Sequence, residues 1–397
     1  MRRAKNWSGR SPGNASHWHS CQDECEPGTQ YHKERNGYLD SLWRIKKKIL
    51  LGGSTRCVFH WVQEVMKNPH FNTIAQVLGQ LIPNGAEVAL LDYPNYSNVG
   101  DSAIWLGQKS YLDQRPDLRV VFVCPATRRP QRLPNLPEGA VILLQGGGNF
   151  GDLWPLHQTF REGVLARYPS NRIIQLPQSI HFLHRKNETR CWNALNRHAD
   201  FHLVLRDRAS LHHAEHAFHG PTYLCPDMAL CLGPLPRACP ARFPIVGLLR
   251  SDKERARGAA SIRPDPADFV VRDWVNEKLT VLNCVQKMMN FYSSYLARYV
   301  NMSHEKRHDH FDSLAREKLL EGCGILCSGD VVVTDRLHGH ILCCLLDIPH
   351  VVMDNVYGKI GNFRETWNTG DGLCLTAVSR DDAYGKALAL RETFRNR

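Results

Sequence analysis

The sequence predicts an α/β protein made of two Rossmann-like domains, each built around a parallel sheet. From residue 87 onward, short runs rich in Val, Ile and Leu alternate with segments of helical length. This is the pattern of parallel strands that are covered by helices on both faces. A proline-dense stretch at 233–244 separates two similar sets of these elements. We therefore expect an inter-domain linker there and a cleft between the two domains.

The first set contains six strand-like runs. They are EVALLDYP (87–94), RVVFVCP (119–125), AVILLQ (140–145), RIIQLPQ (172–178), FHLVLRD (201–207) and TYLCPD (222–227). Each run ends in polar or glycine residues. Because ligands of open α/β sheets bind beyond the carboxyl ends of the strands, these ends are where we expect a site.

The second set predicts strands at FPIVGLLR (243–250), DFVVRDW (268–274), DVVVTD (330–335) and HVVMDN (350–355), with helices at 276–301 and 311–326. We predict an N-terminal extension over 1–80 that is partly disordered and then helical. A first domain over 81–235 and a second over 243–397 follow. The sequence leaves open whether the last helix returns to the first domain.

The charge of the chain is concentrated in its opening segment. The net charge is +11, and residues 1–56 hold 11 Lys and Arg against 5 Asp and Glu. A basic segment of this kind is typical of a tail that meets the inner face of a membrane, or of a solvated extension. No nucleic-acid-binding motif accompanies it, so we expect no nucleic-acid partner.

The 14 cysteines do not predict a secreted disulfide protein. The first residues show no apolar signal segment, and no run reaches the length of a membrane span. We therefore expect a cytoplasmic protein with reduced, mostly buried cysteines, leaving open peripheral membrane association. Cys21/Cys25 and Cys323/Cys327 lack a second pair or a histidine partner, so we predict no metal site and no cofactor.

The strand-like run VVVTDRLHGH (331–340) carries the strongest candidate site residues. Arg336 is a permanent cation, and His338 and His340 are titratable near neutral pH. This composition suits anion binding and proton transfer. A strand end capped by polar residues is the alternative.

The segment QGGGNFGD (145–152) formally satisfies G-x-G-x-x-G after a strand. An acidic residue at the end of the next strand, which a dinucleotide site needs, is absent. We expect Gly146, Gly147, Gly148 and Asn149 to form a loop whose backbone approaches an anionic ligand. Plain turn formation is the alternative.

A second loop candidate is YSNVGDS (96–102), between a strand and a predicted helix. Asn98, Gly100 and Asp101 are expected to shape the turn, with the helix capped by Asp101 or Ser102. For each residue taken singly, a structural role is favoured over catalysis.

Three further residues have suitable chemistry. Arg206 closes a strand and could clamp a carboxylate or phosphate, or pair with an aspartate across a loop. His157 follows the glycine segment directly. Lys359 follows the strand that ends at Asn355 and adds a second cation.

Six segments together resemble the polysaccharide pyruvyl transferase family. In chain order they are YSNVGDSAIW (96–105), LLQGGGNFGD (143–152), RDRAS (206–210), CPDMA (225–229), TDRLHGH (334–340) and YGKIG (357–361). The resemblance covers roughly residues 87–367. It implies a GT-B-like architecture and transfer of the pyruvyl group of phosphoenolpyruvate to sugar hydroxyls. The acceptor would be an exopolysaccharide, a cell-surface glycan or a lipid-linked oligosaccharide.

By position, the resemblance places Arg206, Arg336, His338 and Lys359 around the donor, and the chemistry of ketal formation suggests individual roles. His338 would be the principal acid or base, with Arg336 and His157 as further catalytic residues. Arg206, Arg336, Lys359 and His340 would surround the donor, although His340 could instead support the loop. Asn98, Gly100, Asp101, Gly146, Gly147, Gly148 and Asn149 would shape the acceptor side.

Two other functions remain open from the sequence. A nucleotide-sugar glycosyltransferase would use the same two-domain cleft, and it would bind a nucleotide sugar rather than phosphoenolpyruvate. A non-catalytic glycan-binding or assembly protein could also retain this fold. Intact Arg336, His338, Arg206 and Lys359 argue against the second, since a decayed site would be expected to lose some of them.

Overall fold

The computed structural model describes residues 68–237, 239–250, 268–274, 304–354 and 357–395 of the 397-residue chain. Most of the predicted N-terminal extension lies outside the described residues, and so does the predicted helix at 276–301.

Within the described residues, all strands belong to two parallel sheets. The strands are β1 Glu87–Tyr93, β2 Arg119–Pro125, β3 Val141–Leu144, β4 Gly147–Gly151, β5 Ile173–His181, β6 Phe201–Leu205, β7 Thr222–Leu224, β8 Phe243–Leu248, β9 Phe269–Arg272, β10 Gly329–Thr334, β11 His350–Met353 and β12 Cys374–Ala377. Every run that was predicted as a strand is one. The strands β4 and β12 were not predicted.

The described residues also form nine α-helices. They are α1 Pro69–Leu81, α2 Val99–Asp113, α3 Pro155–Arg167, α4 Arg185–Asn196, α5 Arg208–Glu215, α6 His304–Cys327, α7 Leu337–Leu345, α8 Lys359–Trp367 and α9 Arg380–Arg395. The helix α2 begins earlier than predicted. Its N-cap is Asn98, whose side-chain oxygen accepts a hydrogen bond from Gly100 N, so the expected cap at Asp101 or Ser102 was wrong.

The described strands form two sheets, each with its own strand order. The first sheet runs β2-β1-β3-β5-β6-β7, with β4 added beside β5, and the second runs β12-β11-β10-β8-β9. All the pairs are parallel. The predicted α/β class with parallel sheets is confirmed, and the two sheets are consistent with Rossmann-like domains.

Both faces of the first sheet are buried, as expected for a parallel sheet between helices. On β1, Val88 and Leu90 belong to one apolar cluster, whereas Ala89 and Leu91 belong to another. Successive side chains of a strand point to opposite faces. The near-continuous apolar runs of the sequence are therefore explained by burial on both sides.

The two sheets share one of these apolar clusters. Leu90 of the first sheet and Val332 of the second belong to it, together with residues of α2, α6 and α7. At the α2–α6 contact, Trp105 Nε1 donates to Asp312 Oδ1 at 2.8 Å. The last helix, α9, packs on the second sheet through Ala383 and Ala387.

Ten cysteines lie in the described residues, and none of them is in a disulfide there. Seven are buried, in agreement with the expectation of mostly buried thiols. Among the described helices, none combines the length and apolarity that crossing a bilayer requires.

Candidate active site

The centre of the site is the Asp227 cluster, which consists of Arg206, Asp227 and His338. Arg206 directly follows β6, and Asp227 follows β7 as the N-cap of the 3-10 helix Met228–Leu232. His338 comes from the second half of the chain, in the first turn of α7. The cluster therefore joins residues at the ends of two strands of the first sheet to the helix that follows β10 of the second sheet.

The geometry within the cluster is close. Arg206 Nη1 donates to Asp227 Oδ2 at 2.6 Å, and His338 Nε2 lies 3.4 Å from the same oxygen. Arg206 Nε donates to Ser179 Oγ at 2.8 Å. The Arg206 side chain is 2% exposed and that of Asp227 is 0% exposed. A buried guanidinium with fixed partners presents its remaining N–H groups in a defined direction.

Electrostatics favour the charged form of Asp227. Burial raises its pKa, but the charge of His338, a hydrogen bond from that residue and the charge of Arg206 together outweigh burial, so the pKa lies well below its usual range. The backbone N–H of Ala229 adds a hydrogen bond to Oδ1 at 2.8 Å. Asp227 is therefore an anion that holds a cation and an imidazole in place.

The glycine segment meets two cations. A Cβ atom at Gly148 would lie 3.0 Å from Arg206 Nη2 and 3.4 Å from Lys359 Nζ. Lys359 opens α8 in the second half of the chain. The segment was expected to be a loop, but Gly147–Gly151 is the strand β4, paired with β5. Its bare backbone leaves room beside the two cations, which suits an anionic ligand.

The loop before α2 closes around Asp101. Its Oδ2 accepts hydrogen bonds from Asn98 Nδ2 at 2.6 Å and Tyr96 Oη at 2.9 Å. A Cβ atom at Gly147, whose φ is +127°, would lie 3.3 Å from Asp101 Oδ1. The structure thus brings Asp101 beside the glycine segment.

His338 packs directly on Gly100 of the same loop. A Cβ atom at Gly100 would lie 2.4 Å from His338 Nδ1 and 2.9 Å from its Cβ. Only a glycine leaves space for the imidazole here. The loop before α2 and the start of α7 therefore position each other.

His157 forms a second buried pair, with Asp92. His157 Nδ1 lies 2.7 Å from Asp92 Oδ1, and both side chains are less than a tenth exposed. Burial lowers the pKa of His157, but the Asp92 carboxylate more than offsets this and the pKa is raised. Asp92 has φ +72°, an uncommon conformation for a non-glycine residue. Such strain tends to occur at functional sites.

Arg161 holds the predicted loop residue Asn149 from beneath. Its Nη2 donates to Asn149 Oδ1 at 3.1 Å, and its Nε donates to Gln175 Oε1 at 2.6 Å. Asn149 also accepts a hydrogen bond from Gln178 Nε2 at 2.7 Å. The polar side chains behind the glycine segment are thus bonded to one another. Gly146 packs against the backbone, since a Cβ atom there would lie 2.8 Å from Pro177 O.

Two predicted donor-binding residues make contacts outside the Asp227 cluster. Arg336 Nη2 donates to Asp273 Oδ1 at 2.7 Å, and its guanidinium lies 5.5 Å from the centre of the Trp274 ring. His340 is 0% exposed, with ring nitrogens 2.8 Å from His350 Nε2 and 2.7 Å from Thr369 Oγ1. Both ring nitrogens of His340 are thus engaged within the second half of the chain, which favours the alternative that His340 supports the loop.

Several residues of the site were not singled out from the sequence. Asp227 lies inside the quoted segment CPDMA, but it was given no role. Asp92 ends a predicted strand, which was the only available signal. Lys318 lies on α6 and donates to the carbonyl oxygen of Tyr96 at 2.9 Å. Burial lowers the pKa of Lys318 to about 8.

Fold and site together define a class: an α/β protein with two parallel sheets, in which two cations meet at a glycine-rich strand and two histidines face buried aspartates. Comparison with known proteins identifies the family. The model of the family "Polysaccharide pyruvyl transferase" matches residues 98–355. This chain belongs to the polysaccharide pyruvyl transferase family and is an enzyme of that type.

Several known proteins are similar to this chain. Pyruvyl transferase 1 of Schizosaccharomyces pombe is 31% identical over 324 residues, which cover 77% of this chain and 76% of that protein. EpsO of Bacillus subtilis is 31% identical over 305 residues, covering 73% of this chain and 88% of the relative. An uncharacterized protein of Klebsiella pneumoniae with a solved structure is 16% identical, with a TM-score of 0.47 over 75% of this chain and 94% of its own.

Proposed function

We propose that this protein transfers the pyruvyl group of phosphoenolpyruvate to hydroxyls of a sugar in an exopolysaccharide or cell-surface glycan. The observation that best supports the proposal is the meeting of Arg206 and Lys359 at Gly148. Phosphoenolpyruvate carries a phosphate and a carboxylate, so its site needs more than one fixed cation. A guanidinium suits either group through paired N–H donors.

The chemistry assigns His338 as the acid. It gives a proton to the methylene carbon of the donor, and a sugar hydroxyl oxygen bonds to the adjacent carbon. The C–O bond to phosphate then breaks, and a second hydroxyl closes the ketal. Both hydroxyl protons are lost, which balances the proton supplied to carbon and the one that leaves with phosphate. Asp227, 3.4 Å from His338, orients the imidazole.

The His157–Asp92 pair is our candidate acceptor for a hydroxyl proton. Its imidazole is buried beside a carboxylate, and the Tyr96 ring packs edge-on against it at 5.6 Å. Asn98, Gly100, Asp101 and the glycine segment would shape the acceptor side. A histidine with a pKa near the working pH suits proton transfer in either direction.

Ligand binding tests the donor directly. Thermal-shift titration of the full chain with phosphoenolpyruvate should raise the melting temperature, because binding stabilises the folded state. UDP- and GDP-sugars serve as the comparison. A shift with nucleotide sugars alone would support a glycosyltransferase instead. Phosphoenolpyruvate binding without phosphate release on any glycan acceptor would favour a non-catalytic binding protein.

Variants test the assigned roles. Lys359→Gln should weaken phosphoenolpyruvate binding at least about tenfold, since it removes a charge-assisted contact. Lys386→Gln is the matched control, because Lys386 pairs with Asp382 on the remote helix α9. His338→Asn should keep the thermal shift but abolish phosphate release. Near-normal turnover by His338→Asn would exclude it as the acid.

We propose Arg336 as a further contact to phosphoenolpyruvate. Its Nη2 already donates to Asp273, so only the rest of the guanidinium would contact the donor. The variant Arg336→Lys distinguishes a direct role in donor binding from a role in positioning α7. Loss of the paired N–H donors of the guanidinium should raise the KM for phosphoenolpyruvate if Arg336 binds the donor. A fall in kcat with unchanged KM would indicate that it positions α7.

The arrangement and place of action are also proposals. We propose a GT-B-like arrangement of the two sheets with a cleft, and a cytoplasmic enzyme that acts on a lipid-linked oligosaccharide. The basic segment 1–56 would then contact the inner membrane face. Co-sedimentation with phosphatidylserine vesicles, lost in a chain that lacks residues 1–56, tests this. Equal sedimentation of both chains would contradict it.

A further inference from the structure

Two histidines and two cysteines gather in the second half of the chain, apart from the Asp227 cluster. We call them the His340 cluster: His340, Cys344, His350 and Cys374. His340 and Cys344 lie one turn apart on α7, so they share a helix face. His350 opens β11 and Cys374 opens β12, and these two residues are paired in the parallel register.

The ligand-type atoms of the cluster are close together. One such atom each from His340, His350 and Cys374 lies within 4.8 Å of the other two. His340 Nδ1 is 2.8 Å from His350 Nε2, and Cys344 Sγ is 3.8 Å from His340 Nδ1. Both histidines are fully buried, whereas both cysteines are partly exposed. An ion could therefore enter from the cysteine side.

The outer ring contacts fix the direction of the histidine lone pairs. His350 Nδ1 lies 2.8 Å from the carbonyl oxygen of Ile348, so it must be the N–H donor, and Nε2 then presents its lone pair to the cluster. His340 Nε2 lies 2.7 Å from Thr369 Oγ1. Metal-binding histidines are held in this way, with the second ring nitrogen bonded to a carbonyl or another polar group.

We propose that His340, Cys344, His350 and Cys374 bind a zinc ion. Two nitrogens and two thiolates are a set that Zn²⁺ takes in tetrahedral sites, at about 2.0 Å from nitrogen and about 2.3 Å from sulfur. At His340 Nδ1 the ion replaces the proton that otherwise bridges to His350, and the Thr369 hydroxyl turns to accept from Nε2. The main competing state is that N–H···N hydrogen bond without a metal.

Gly370 leaves room for three of the four side chains to gather. It has φ +81°, and a Cβ atom there would lie 2.9 Å from Cys374 Cβ, 3.1 Å from His340 Cε1 and 3.3 Å from Cys344 Sγ. The bound ion would tie α7 to β11 and β12. Because α7 also carries His338, the ion would fix the helix that presents this residue to the Asp227 cluster.

Metal binding to the full-length chain tests the proposal. After treatment with a chelator, the protein should retain one zinc ion per chain on dialysis against Zn²⁺. Replacement by Co²⁺ should give thiolate-to-cobalt charge-transfer absorption and the intense visible bands of a tetrahedral site. Cys374→Ser should reduce the charge-transfer band, and His350→Gln should weaken zinc binding at least about tenfold.

Two controls locate the ion. Cys239→Ser changes a partly exposed thiol outside the cluster, and the double variant Cys21→Ser/Cys25→Ser removes one of the two cysteine pairs that are closely spaced in the sequence. Both should leave the cobalt spectrum unchanged. If a cluster variant does not fold, as judged by circular dichroism, the wild-type cobalt spectrum decides.

Three results would overturn the proposal. The first is a zinc content of the wild-type protein no higher than that of the cluster variants. The second is a cobalt spectrum without thiolate charge transfer, and the third is a Cys344–Cys374 disulfide with no bound metal. None of them would contradict the proposed pyruvyl transfer, which is argued from the Asp227 cluster and Lys359.

Discussion

Asp227 is the residue on which the electrostatics of the site depend most. It is fully buried, it accepts from Arg206 and it faces His338. A buried carboxylate of this kind is stable because its partners are charged. Removing its charge would leave Arg206 without its ion pair in the interior.

We therefore expect Asp227→Asn to lower the free energy of unfolding by about 3–5 kcal/mol, as when one partner of a buried ion pair is removed. Urea unfolding followed by circular dichroism measures this. Asp113→Asn is the control, because Asp113 is half exposed and pairs with Lys109 one helical turn away. The control should change the unfolding free energy by less than about 1 kcal/mol. Equal effects of the two variants would contradict a buried ion pair.

The Asp92–His157 pair predicts a pH dependence of stability. Asp92 raises the pKa of His157 against the opposing effect of burial. A raised pKa in the folded state stabilises the fold below the unfolded pKa of about 6.5, and this contribution is lost as pH rises through the folded value. The stability difference between wild type and Asp92→Asn should thus be largest in acid and smaller in alkali.

NMR titration of the His157 ring measures the cause directly. In Asp92→Asn the pKa of His157 should fall, since burial is no longer offset by this carboxylate. Urea unfolding at about pH 5.5 and about pH 9 supplies the matching stabilities. A constant difference between the two proteins at both values would show that the pair is not ionic.

At the scale of elements, the contact between the loop before α2 and the start of α7 connects the two halves of the site. The contact is tight because His338 lies over the bare backbone of Gly100. The atoms of His338 that a new methyl group would meet include its Cβ and Cγ, which cannot swing away without moving the helix.

Gly100→Ala should therefore destabilise the protein by about 1–3 kcal/mol through overpacking, and phosphate release should be lost. Gly79→Ala is the matched control, because Gly79 lies in α1 and a Cβ atom there meets nothing within 4 Å. The control should stabilise the protein by about 0.5–1 kcal/mol. Thermal melts and phosphate-release assays on both variants give the comparison. An active, stable Gly100→Ala protein would show that the position of α7 does not depend on the close packing of His338 against Gly100.

The elements show why some of the fold was predictable and some was not. Apolar runs that are buried on both faces predict strands directly, as at Val331–Val333. The strand β4 was missed because its glycines are typical of turns, and β12 was missed because two of its four residues are exposed. Pattern alone does not reveal either strand, since both depend on pairing with a neighbour.

The motifs of the site were predictable from the sequence, but the directions in which their side chains point were not. The sequence shows Arg336, His338 and His340 as neighbours, and the structure sends them to three different environments. Each residue of an α-helix turns by about 100°, so alternate residues point to nearly opposite sides. The predicted strand ends at Asp335, and no helix was predicted after it, whereas α7 begins at Leu337. The His340 cluster was hidden for a different reason, because it joins three elements that are separate in the sequence.

At the scale of the whole molecule, the two sheets share one apolar core. A single apolar cluster includes Leu90 and Leu143 of the first sheet and Val246 and Val332 of the second. The Trp367 indole also donates to the carbonyl oxygen of Arg206 at 2.7 Å, across the two halves of the chain. A shared core means that loss of packing on one side removes support from the other.

This coupling predicts how a core substitution spreads. Ile341 lies on α7 in the shared cluster and is 0% exposed, so Ile341→Ala should cost about 2–5 kcal/mol by leaving a cavity. Hydrogen exchange should then accelerate at least about tenfold in the slowest amides of both β3 and β10, because one global opening exposes both sheets. Val378→Ala is the control, since Val378 is 94% exposed and should change neither. Faster exchange in β10 with unchanged exchange in β3 would show that the halves open separately, and His338 could then leave the Asp227 cluster without unfolding of the first sheet.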